Sequence, residues 1–406
     1  MKCRGCGASL SLTFFDLGMS PIANELIESS FVEVQNKTYP LHVMTCEKCK
    51  LVQLPSVIAK EELFHSSYTY YSSYSSSWLA HSKSYAEKMI SDLKLNRNDL
   101  VIEVASNDGY LLQYFQQQEI DVLGIEPSSG VAQVAISKGV PTMIDYFGAA
   151  SAKKLVDFKK PKLMIGNNVL AHVPDIHDFI SGFASVIADD GVITFEFPHL
   201  LNLIKETQFD TIYHEHYSYL SISALQPIFL QHNLKIINVE KLGTHGGSLR
   251  IYVVKNSLGR EINRSVQSII HEEDQYDPRL PQVYEGFGQK VTEIKLNLVA
   301  ELSKCKSEGK VLYAYGAAAK GVTLLNYCEI GTNLLDLVID LNPNKQGKLI
   351  PGVKIPIVSM KVLEHSVPDV LLILPWNLSQ EIKMDLTNYL EFDVKLLRAI
   401  PRLEYF

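Results

Sequence analysis

Short apolar runs alternate with stretches of helical periodicity over most of this chain. A long helical pattern at residues 78–93 precedes a first group of apolar runs, at residues 100–105, 122–125, 163–165 and 191–197. A second group lies nearer the C-terminus, at residues 311–315, 335–339, 370–374 and 394–399. Strands that alternate with helices predict a mostly parallel, doubly wound sheet. The sequence therefore predicts two successive α/β units.

The remaining segments have different patterns. Residues 234–239 and 249–254 flank a glycine-containing loop, which predicts a pair of strands. Residues 255–310 are polar and have a helical pattern, which indicates a connector. Long helical patterns are scarce before residue 76. We therefore expect three domains, at residues 1–75, 76–255 and 256–406.

Length, apolar runs and net charge exclude several classes of protein. The chain has 406 residues, too many for one hydrophobic core. No apolar run reaches the ~18 residues of a membrane helix, and the N-terminus lacks the apolar stretch of a secretory signal. We therefore expect a cytoplasmic protein that does not bind membranes. The net charge of -7 argues against nucleic acid as a partner, because binding phosphates requires an excess of lysine and arginine. No protein partner is evident.

Two cysteine pairs near the N-terminus give the strongest local signal. Cys3 and Cys6 are separated by two residues, and so are Cys46 and Cys49. This spacing lets both sulfurs of a pair face one ion, and two pairs complete a tetrahedral zinc site. A site closed by four sulfurs is structural, because no coordination position stays open for chemistry. The alternative interpretation is four unliganded thiols.

A nucleoside cofactor is expected beside the first apolar runs. The segment EVASNDG (residues 103–109) forms the end of a strand and the turn that follows, where doubly wound sheets bind such ligands. Glu126 ends the next strand and is suited to bind ribose hydroxyls, and Asp145 near the third strand end is a candidate to face an adenine. The alternative is a structural strand–turn–helix. The predicted cofactor-binding residues here are Glu103, Ser106, Asn107, Gly109, Glu126 and Asp145.

Two later segments add polar side chains to the same cleft. Asn167 and Asn168 follow the fourth apolar run and are candidates to bind the amino-acid part of a cofactor, with His172 close behind. The segment YHEHY (residues 213–217) follows the fifth strand and combines a phenol, imidazoles and a carboxylate. It is suited to proton transfer near neutral pH. A metal site and a polar surface turn remain the other interpretations of this segment.

A glycine at a strand–helix junction lies in the C-terminal unit. Gly316 follows the strand at residues 311–315, and Lys320 adds a positive charge at the start of a helix. Exposed amides at such a junction bind phosphate. The dinucleotide fingerprint Gly-x-Gly-x-x-Gly is absent from this segment. The competing interpretation is purely structural.

In combination, these segments resemble the sugar C-methyltransferases of deoxysugar biosynthesis, which make branched sugars. The resemblance spans nearly the whole chain. It rests on the two cysteine pairs and on the segments EVASNDG (103–109), NVLAHVPD (168–175), DTIYHEH (210–216), THGGSLR (244–250) and YGAAAKG (315–321). The glycine-poor cofactor loop departs from methyltransferases at large but agrees with this family.

The resemblance implies an α/β protein of three parts. These are an N-terminal zinc-binding module, a central Rossmann-like class I methyltransferase domain that binds S-adenosylmethionine, and a C-terminal Rossmann-like domain that helps to bind a nucleotide sugar. It also implies that the Tyr/Ser-rich stretch around residues 70–76 borders the substrate cleft. The expected substrate-binding residues are Tyr71, Tyr74, His245, Gly316 and Lys320.

The expected reaction is methylation of a carbon next to the ketone of a nucleotide-linked 4-keto-deoxysugar, dTDP being the expected nucleotide. Such a carbon must first lose a proton, which needs a base and donors to the enolate oxygen. His216 is the candidate base, and Glu215 is expected to orient an imidazole or a sugar hydroxyl. Tyr213 and His172 are candidate donors that could share the base role. The alternatives are an O- or N-methyltransferase, a nicotinamide-dependent oxidoreductase and a non-enzymatic zinc-module scaffold.

Overall fold

The computed structural model describes residues 1–29, 37–59, 63, 71–155, 159–387 and 394–406. The strands are β1 (Leu12–Pro21), β2 (Ile27–Glu28), β3 (Thr38–Thr45), β4 (Val52–Gln53), β5 (Leu100–Val104), β6 (Asp121–Ile125), β7 (Thr142–Met143), β8 (Leu163–Asn167), β9 (Val192–Pro198), β10 (Ser218–Tyr219), β11 (Leu234–Leu242), β12 (Ser248–Lys255), β13 (Leu312–Tyr315), β14 (Leu337–Ile339), β15 (Lys348–Leu349), β16 (Ile357–Val358), β17 (Val370–Ile373), β18 (Lys395–Arg398) and β19 (Glu404–Tyr405).

Helices connect most of these strands. They are α1 (Ser76–Leu93), α2 (Leu112–Gln116), α3 (Ser129–Ser137), α4 (Ala149–Ala152), α5 (Ile176–Val186), α6 (Leu200–Lys205), α7 (Ile222–Gln231), α8 (Arg264–Asp274), α9 (Pro281–Ser307), α10 (Ala319–Cys328) and α11 (Ser379–Thr387). No helix in the described part of the chain is long and apolar enough to cross a membrane.

The central sheet has the order β11-β12-β9-β8-β5-β6-β7. The strands from β9 to β7 are parallel, whereas β12 runs antiparallel to both of its neighbours. All five residues of β5 are buried, as expected for a parallel strand that is covered on both faces. The direction of winding reverses between β5 and β8, which is where doubly wound sheets bind ligands. The predicted doubly wound sheet and the predicted strand pair after residue 233 are confirmed.

The C-terminal sheet has the order β16-β14-β13-β17-β18-β19 and is parallel except for its last strand. The predicted connector consists of α8 and the long helix α9, and Pro281 occupies the first position of α9, where its missing N–H is tolerated. The predicted α/β fold of the C-terminal part is confirmed.

The N-terminal sheet is antiparallel, and its order β1-β3-β4-β10 includes a strand from a distant part of the chain. Strand β10 lies directly after the YHEHY segment. Strand β2 pairs with β15 in the C-terminal part. One hydrophobic core contains side chains from all three parts, among them Val43, Ile212, Phe287 and Leu324. This packing joins the three parts of the chain in one core.

Candidate active site and zinc centre

The four N-terminal cysteines converge on one point. Their sulfur atoms all lie within 4.8 Å of one another, with 3.5 Å between Cys3 and Cys49 and the same distance between Cys6 and Cys46. Four sulfurs at about 2.3 Å from a zinc ion would have similar mutual distances. The donor set therefore fits a structural zinc ion with a closed shell of four thiolates.

The loop after β5 adopts the backbone conformation that methyltransferases usually reach with glycine. Ala105 and Asn107, which replace two of the usual glycines, have φ angles of 58° and 48°. Gly109 has a φ of +78°, and a Cβ atom there would lie 2.9 Å from Cγ2 of Val140. Packing against Val140 and a left-handed backbone therefore require this glycine. Its expected contact with a cofactor stays a prediction.

Glu126 is buried directly beside this loop. Its carboxylate accepts hydrogen bonds from the backbone N–H groups of Asn107 (3.1 Å) and Ser128 (2.8 Å). Each carboxylate oxygen has a second lone pair, so Glu126 can also accept bonds from two ligand hydroxyls. The buried hydroxyl of Ser106 has no hydrogen-bond partner among the described residues. Both observations fit a polar ligand at this loop.

The expected amino-acid end of the cofactor site lies at the ends of β5 and β8. Glu103 is fully buried, and burial raises the pKa of its carboxyl well above the ordinary value. The Oδ1 atom of buried Asn167 has no partner within the part of the chain that the structure describes. Asn168 has a φ of 51°, and its side-chain amide donates to Nε2 of His245 at 3.1 Å. Glu103 and Asn167 lie on the neighbouring strands β5 and β8, and their contact with a cofactor stays a prediction.

The Tyr/Ser-rich stretch closes over the cofactor loop. The backbone N–H of Ser72 donates to the Asn107 side chain at 2.9 Å, and the Ser73 hydroxyl donates to Asp108. The rings of Tyr71 and Tyr74 stack with centroids 5.3 Å apart, and their contact with a substrate stays a prediction. Residues 68–70 of this stretch lie outside the described residues.

Asp145 lies near the end of β7, as expected, but its carboxylate is engaged at the surface. It accepts a hydrogen bond from Lys154 at 2.7 Å. Its contact with an adenine stays a prediction.

The candidate acid–base residues Tyr213 and His216 form a hydrogen-bonded pair. Nε2 of His216 lies 2.9 Å from the Tyr213 hydroxyl, and Nδ1 lies 2.7 Å from the Thr211 carbonyl oxygen. A carbonyl only accepts, so Nδ1 must carry the proton and Nε2 must accept from Tyr213. Burial, and then the neighbouring His172, lower the pKa of His216 well below its ordinary value. The imidazole is therefore neutral at neutral pH, and its Nε2 carries no proton.

The neighbours of this pair include two further predicted residues. The rings of His172 and His216 have centroids 4.7 Å apart, and burial lowers the pKa of His172 to about 4. Glu215 is buried, and its Oε1 accepts from the side chain of Asn24 at 2.9 Å. His214 instead contacts the Tyr39 carbonyl in the N-terminal module. The two histidines of the His-x-His sequence therefore point to different partners, contrary to the metal-site interpretation.

Lys320 reaches this cluster from the C-terminal part. Its ammonium lies 4.6 Å from the centroid of the Trp376 ring and donates to the Asn377 side chain at 2.9 Å. Burial and the charge of Lys320 lower the pKa of His245 to about 4. Lys320 also contributes to the lowered pKa of His216. Lys320 therefore packs on Trp376 near the candidate acid–base residues and is not a solvated helix residue.

The glycine junction differs from the expected phosphate loop. The backbone N–H groups of Gly316, Ala317 and Ala318 donate within the protein, to Ile339, Asp340 and Gly316 respectively. Three amides of the junction are thus already satisfied, which is a correction to the expectation of exposed amides. What remains for an anion is the first turn of α10 with the Lys320 side chain.

A second buried cluster of charged side chains contains none of the predicted site residues. The Glu196 carboxylate on β9 accepts from Arg250 (2.9 Å) and from the Thr244 hydroxyl (2.8 Å), and it contacts His81 (2.9 Å). This network connects α1 with the loop that carries His245. The sequence does contain a signal for this cluster. A charged residue such as Glu196 inside an apolar strand indicates buried partners, because an unpaired buried charge is costly.

Three protein-family models match successive parts of the chain. Residues 3–64 match a family described as a zinc binding domain, residues 79–239 match a methyltransferase domain, and residues 243–401 match the C-methyltransferase C-terminal domain. The C-methyltransferase NovU of Streptomyces niveus is 31% identical over 401 residues, which are 98% of this chain and 95% of that protein. The chain belongs to the C-methyltransferase family.

Two solved methyltransferase structures each align with less than half of this chain. Magnesium protoporphyrin IX methyltransferase from Synechocystis PCC 6803 is 17% identical, with a TM-score of 0.33 over 44% of this chain and 79% of that chain. A SAM dependent methyltransferase from Archaeoglobus fulgidus is 14% identical, with a TM-score of 0.36 over 43% and 93%.

Family membership and the geometry above define the enzyme class and its cofactors. The chain is a C-methyltransferase whose methyl donor is S-adenosylmethionine. The four cysteines are the ligands of a zinc-binding module. The prediction of a methyltransferase with these two cofactors is confirmed.

Proposed function

We propose that this C-methyltransferase is a cytoplasmic enzyme of deoxysugar biosynthesis. Its substrate would be a dTDP-linked 4-keto-deoxysugar, methylated through an enolate to give a branched-chain sugar. The observation that carries this proposal is the pair of His216 and Tyr213 at the carboxyl ends of the central strands. Similarity to NovU supports methylation at carbon, and carbon methylation needs such a pair.

An enolisable ketone needs a base near its α-carbon and a hydrogen-bond donor near its oxygen, and this pair offers both. Nε2 of His216 and the Tyr213 hydroxyl are 2.9 Å apart, so a base and a hydrogen-bond donor lie side by side. In the proposed reaction, the substrate displaces Tyr213 from Nε2. His216 then takes the proton of the α-carbon, and the Tyr213 hydroxyl donates to the enolate oxygen. S-adenosylmethionine, when bound, supplies the methyl group that the carbon takes up.

The surroundings stabilise the negative charge that forms. The Lys320 ammonium is close enough to lower the pKa of His216, and it would favour an enolate more strongly than a neutral ketone. His172 lies against His216 and is the second candidate donor. The Oε2 atom of buried Glu215 has no partner among the described residues and would accept a sugar hydroxyl.

We assign the cofactor to the edge formed by β5, β6 and β8. Glu126 would accept the ribose hydroxyls, while Glu103 and the amide side chains of Asn167 and Asn168 would bind the amino-acid part. A cationic ammonium group there would favour the charged form of Glu103. The nucleotide of the substrate would lie toward α10, with Tyr71, Tyr74 and His245 along the cleft. In this proposal residues 1–75 form the zinc-binding module and end in the stretch that borders the cleft, residues 76–255 bind the cofactor and carry the acid–base residues, and residues 256–406 help to bind the substrate.

The direct test is a product assay. The protein would be incubated with S-adenosylmethionine and a panel of nucleotide-linked 4-keto sugars, and mass spectrometry should find a gain of one methyl group. An O- or N-methyltransferase would accept sugars that lack the ketone, so the matched 4-hydroxy sugars are the control. Methylation of those sugars at equal rates would contradict the proposal.

Replacing Glu126 with alanine should weaken S-adenosylmethionine binding by about 1.5–3 kcal/mol, because two ribose hydroxyls lose a charged acceptor. Titration calorimetry measures this directly. Asp121→Ala, which removes an exposed carboxylate at the other end of β6, is the matched control. The Glu126 carboxylate also accepts two backbone bonds, so thermal unfolding without ligand must be measured alongside. Unchanged affinity in a folded Glu126→Ala variant would refute the assignment.

Replacing Lys320 with alanine should raise the Michaelis constant for the sugar and leave S-adenosylmethionine affinity intact. The reason is that Lys320 supplies a buried positive charge on the substrate side of the cleft and makes no contact with the loop after β5. Steady-state kinetics with each substrate varied in turn would separate the two effects. Lys361→Ala, an exposed lysine of the same domain, serves as control. An unchanged Michaelis constant for the sugar would reject this role.

A further inference from the structure

A buried carboxylate connects the C-terminal domain with the catalytic loop. Asp210 lies in a 3-10 turn, Phe209–Thr211, immediately before the YHEHY segment, and its exposed fraction is 0%. Its Oδ2 atom accepts a hydrogen bond from the indole Nε1–H of Trp376 at 2.7 Å. Trp376 lies just beyond the carboxyl end of β17, in the C-terminal sheet. This hydrogen bond therefore spans the boundary between the two α/β sheets.

Asp210 lies in the short turn that presents the Thr211 carbonyl to His216. That carbonyl accepts the Nδ1 proton of His216 at 2.7 Å, and the N–H of the same peptide group, on Ile212, donates to the Phe209 carbonyl at 3.0 Å. A turn that is closed in this way and anchored through Asp210 to Trp376 presents a fixed acceptor to the imidazole. That acceptor determines which nitrogen of His216 carries the proton, and hence leaves Nε2 unprotonated toward the cleft.

The surroundings of Trp376 explain why an indole serves here. One edge of the ring packs against Gly246, where a Cβ atom would overlap the ring, and its face lies under the Lys320 ammonium. Burying a carboxylate is costly, and here the indole N–H and the nearby positive charge of Lys320 offset part of that cost. A positioning function accounts for keeping a charged group at this place.

We propose that Trp376 and Asp210 are positioning residues for His216, which fix its Nδ1–H tautomer from the C-terminal domain. The inference rests on the proposed role of His216 as base. It also gives the C-terminal domain a second task besides substrate contact, because the catalytic imidazole is correctly protonated only while that domain is docked. Neither residue touches the reacting atoms.

Trp376→Phe is the direct test, because phenylalanine keeps an aromatic ring in the core and removes the N–H donor. The full-length protein would be labelled with ¹⁵N-histidine, and long-range proton–nitrogen spectra would report the tautomer of His216. We expect the parent to show Nδ1–H alone and the variant to show a mixture. Exchange of the substrate's α-hydrogen should slow by about 10- to 100-fold, the usual effect of a misplaced catalytic group, with unchanged S-adenosylmethionine affinity.

Two further variants make the result specific. Tyr313→Phe removes a hydroxyl that bonds Ser366 in the same domain, far from the catalytic loop, and should leave the tautomer and the exchange rate unchanged. Asp210→Ala combined with Trp376→Phe should be no slower than Asp210→Ala alone, because both changes break one connection.

The outcomes separate the inference from the proposed function. A parent-like tautomer in Trp376→Phe overturns the inference, whatever the chemistry. A changed tautomer with a full exchange rate supports the positioning role but contradicts His216 as base. A raised Michaelis constant with an unchanged tautomer would make Trp376 a substrate contact and overturn the inference.

Discussion

Replacing His216 with alanine should lower turnover by about 10²–10⁴-fold, the usual share of a general base. The Nε2 lone pair of this buried, neutral imidazole is the group that we assign to take the α-proton. Cofactor binding should survive, because Glu126 and the loop after β5 make no contact with His216. The expected result is therefore a large loss in the rate constant at unchanged S-adenosylmethionine affinity.

Hydrogen exchange isolates the step in which His216 acts. In deuterated water and without S-adenosylmethionine, the parent enzyme should exchange the α-hydrogen of the keto sugar, and His216→Ala should not. His365→Ala, a change at an exposed histidine in the C-terminal part, is the matched control and should exchange at the parent rate. If His216→Ala exchanges as fast as the parent, Tyr213 or His172 is the base.

Loss of zinc should disrupt the N-terminal module and also reduce catalysis. Structural zinc sites bind with an apparent free energy of about 10–16 kcal/mol at neutral pH, comparable with the whole stability of a domain. Cys46→Ser removes one of four ligands and should abolish stoichiometric zinc. Because β10 pairs with β4 directly after the catalytic loop, the damage should extend to His216.

Elemental analysis and amide hydrogen exchange would measure the two parts of this prediction. Zinc content should fall in Cys46→Ser, and amide protection should be lost in β3, β4 and β10. Cys305→Ser changes a buried cysteine outside the cluster and should retain both zinc and protection. Full zinc content in Cys46→Ser would show that the four cysteines are not the ligand set.

Strands β5, β8, β13 and β17 could be predicted because all of their residues are buried. A parallel strand such as β5 is apolar along its whole length, so its run is visible without any partner. The cofactor loop was harder to recognise, since Ala105 and Asn107 adopt left-handed backbone angles that usually indicate glycine. Its place after a strand was the more reliable signal, because the sheet and not the residue type defines the ligand-binding edge.

The hydrogen-bond network around His216 could not be predicted in the same way. Tyr213 and His216 could be assigned to one site from the sequence, because they are neighbours in one short segment. Trp376 is distant from Asp210 along the chain, and only the docking of two sheets brings the indole to the carboxylate. The expectation of free amides after Gly316 was wrong for a related reason, since Asp340 on the next strand end accepts one of them.

The pairing of β4 with β10 also constrains the order in which the chain can fold during synthesis. Domains usually fold from the N-terminus as they leave the ribosome. Here the first sheet lacks its fourth strand until residue 219 has been made, and β2 lacks its partner until residue 349. Until then the edge of β4 is open to pairing with other nascent chains. A translation product that stops before β10 therefore has an incomplete N-terminal sheet, even though all four cysteines are present.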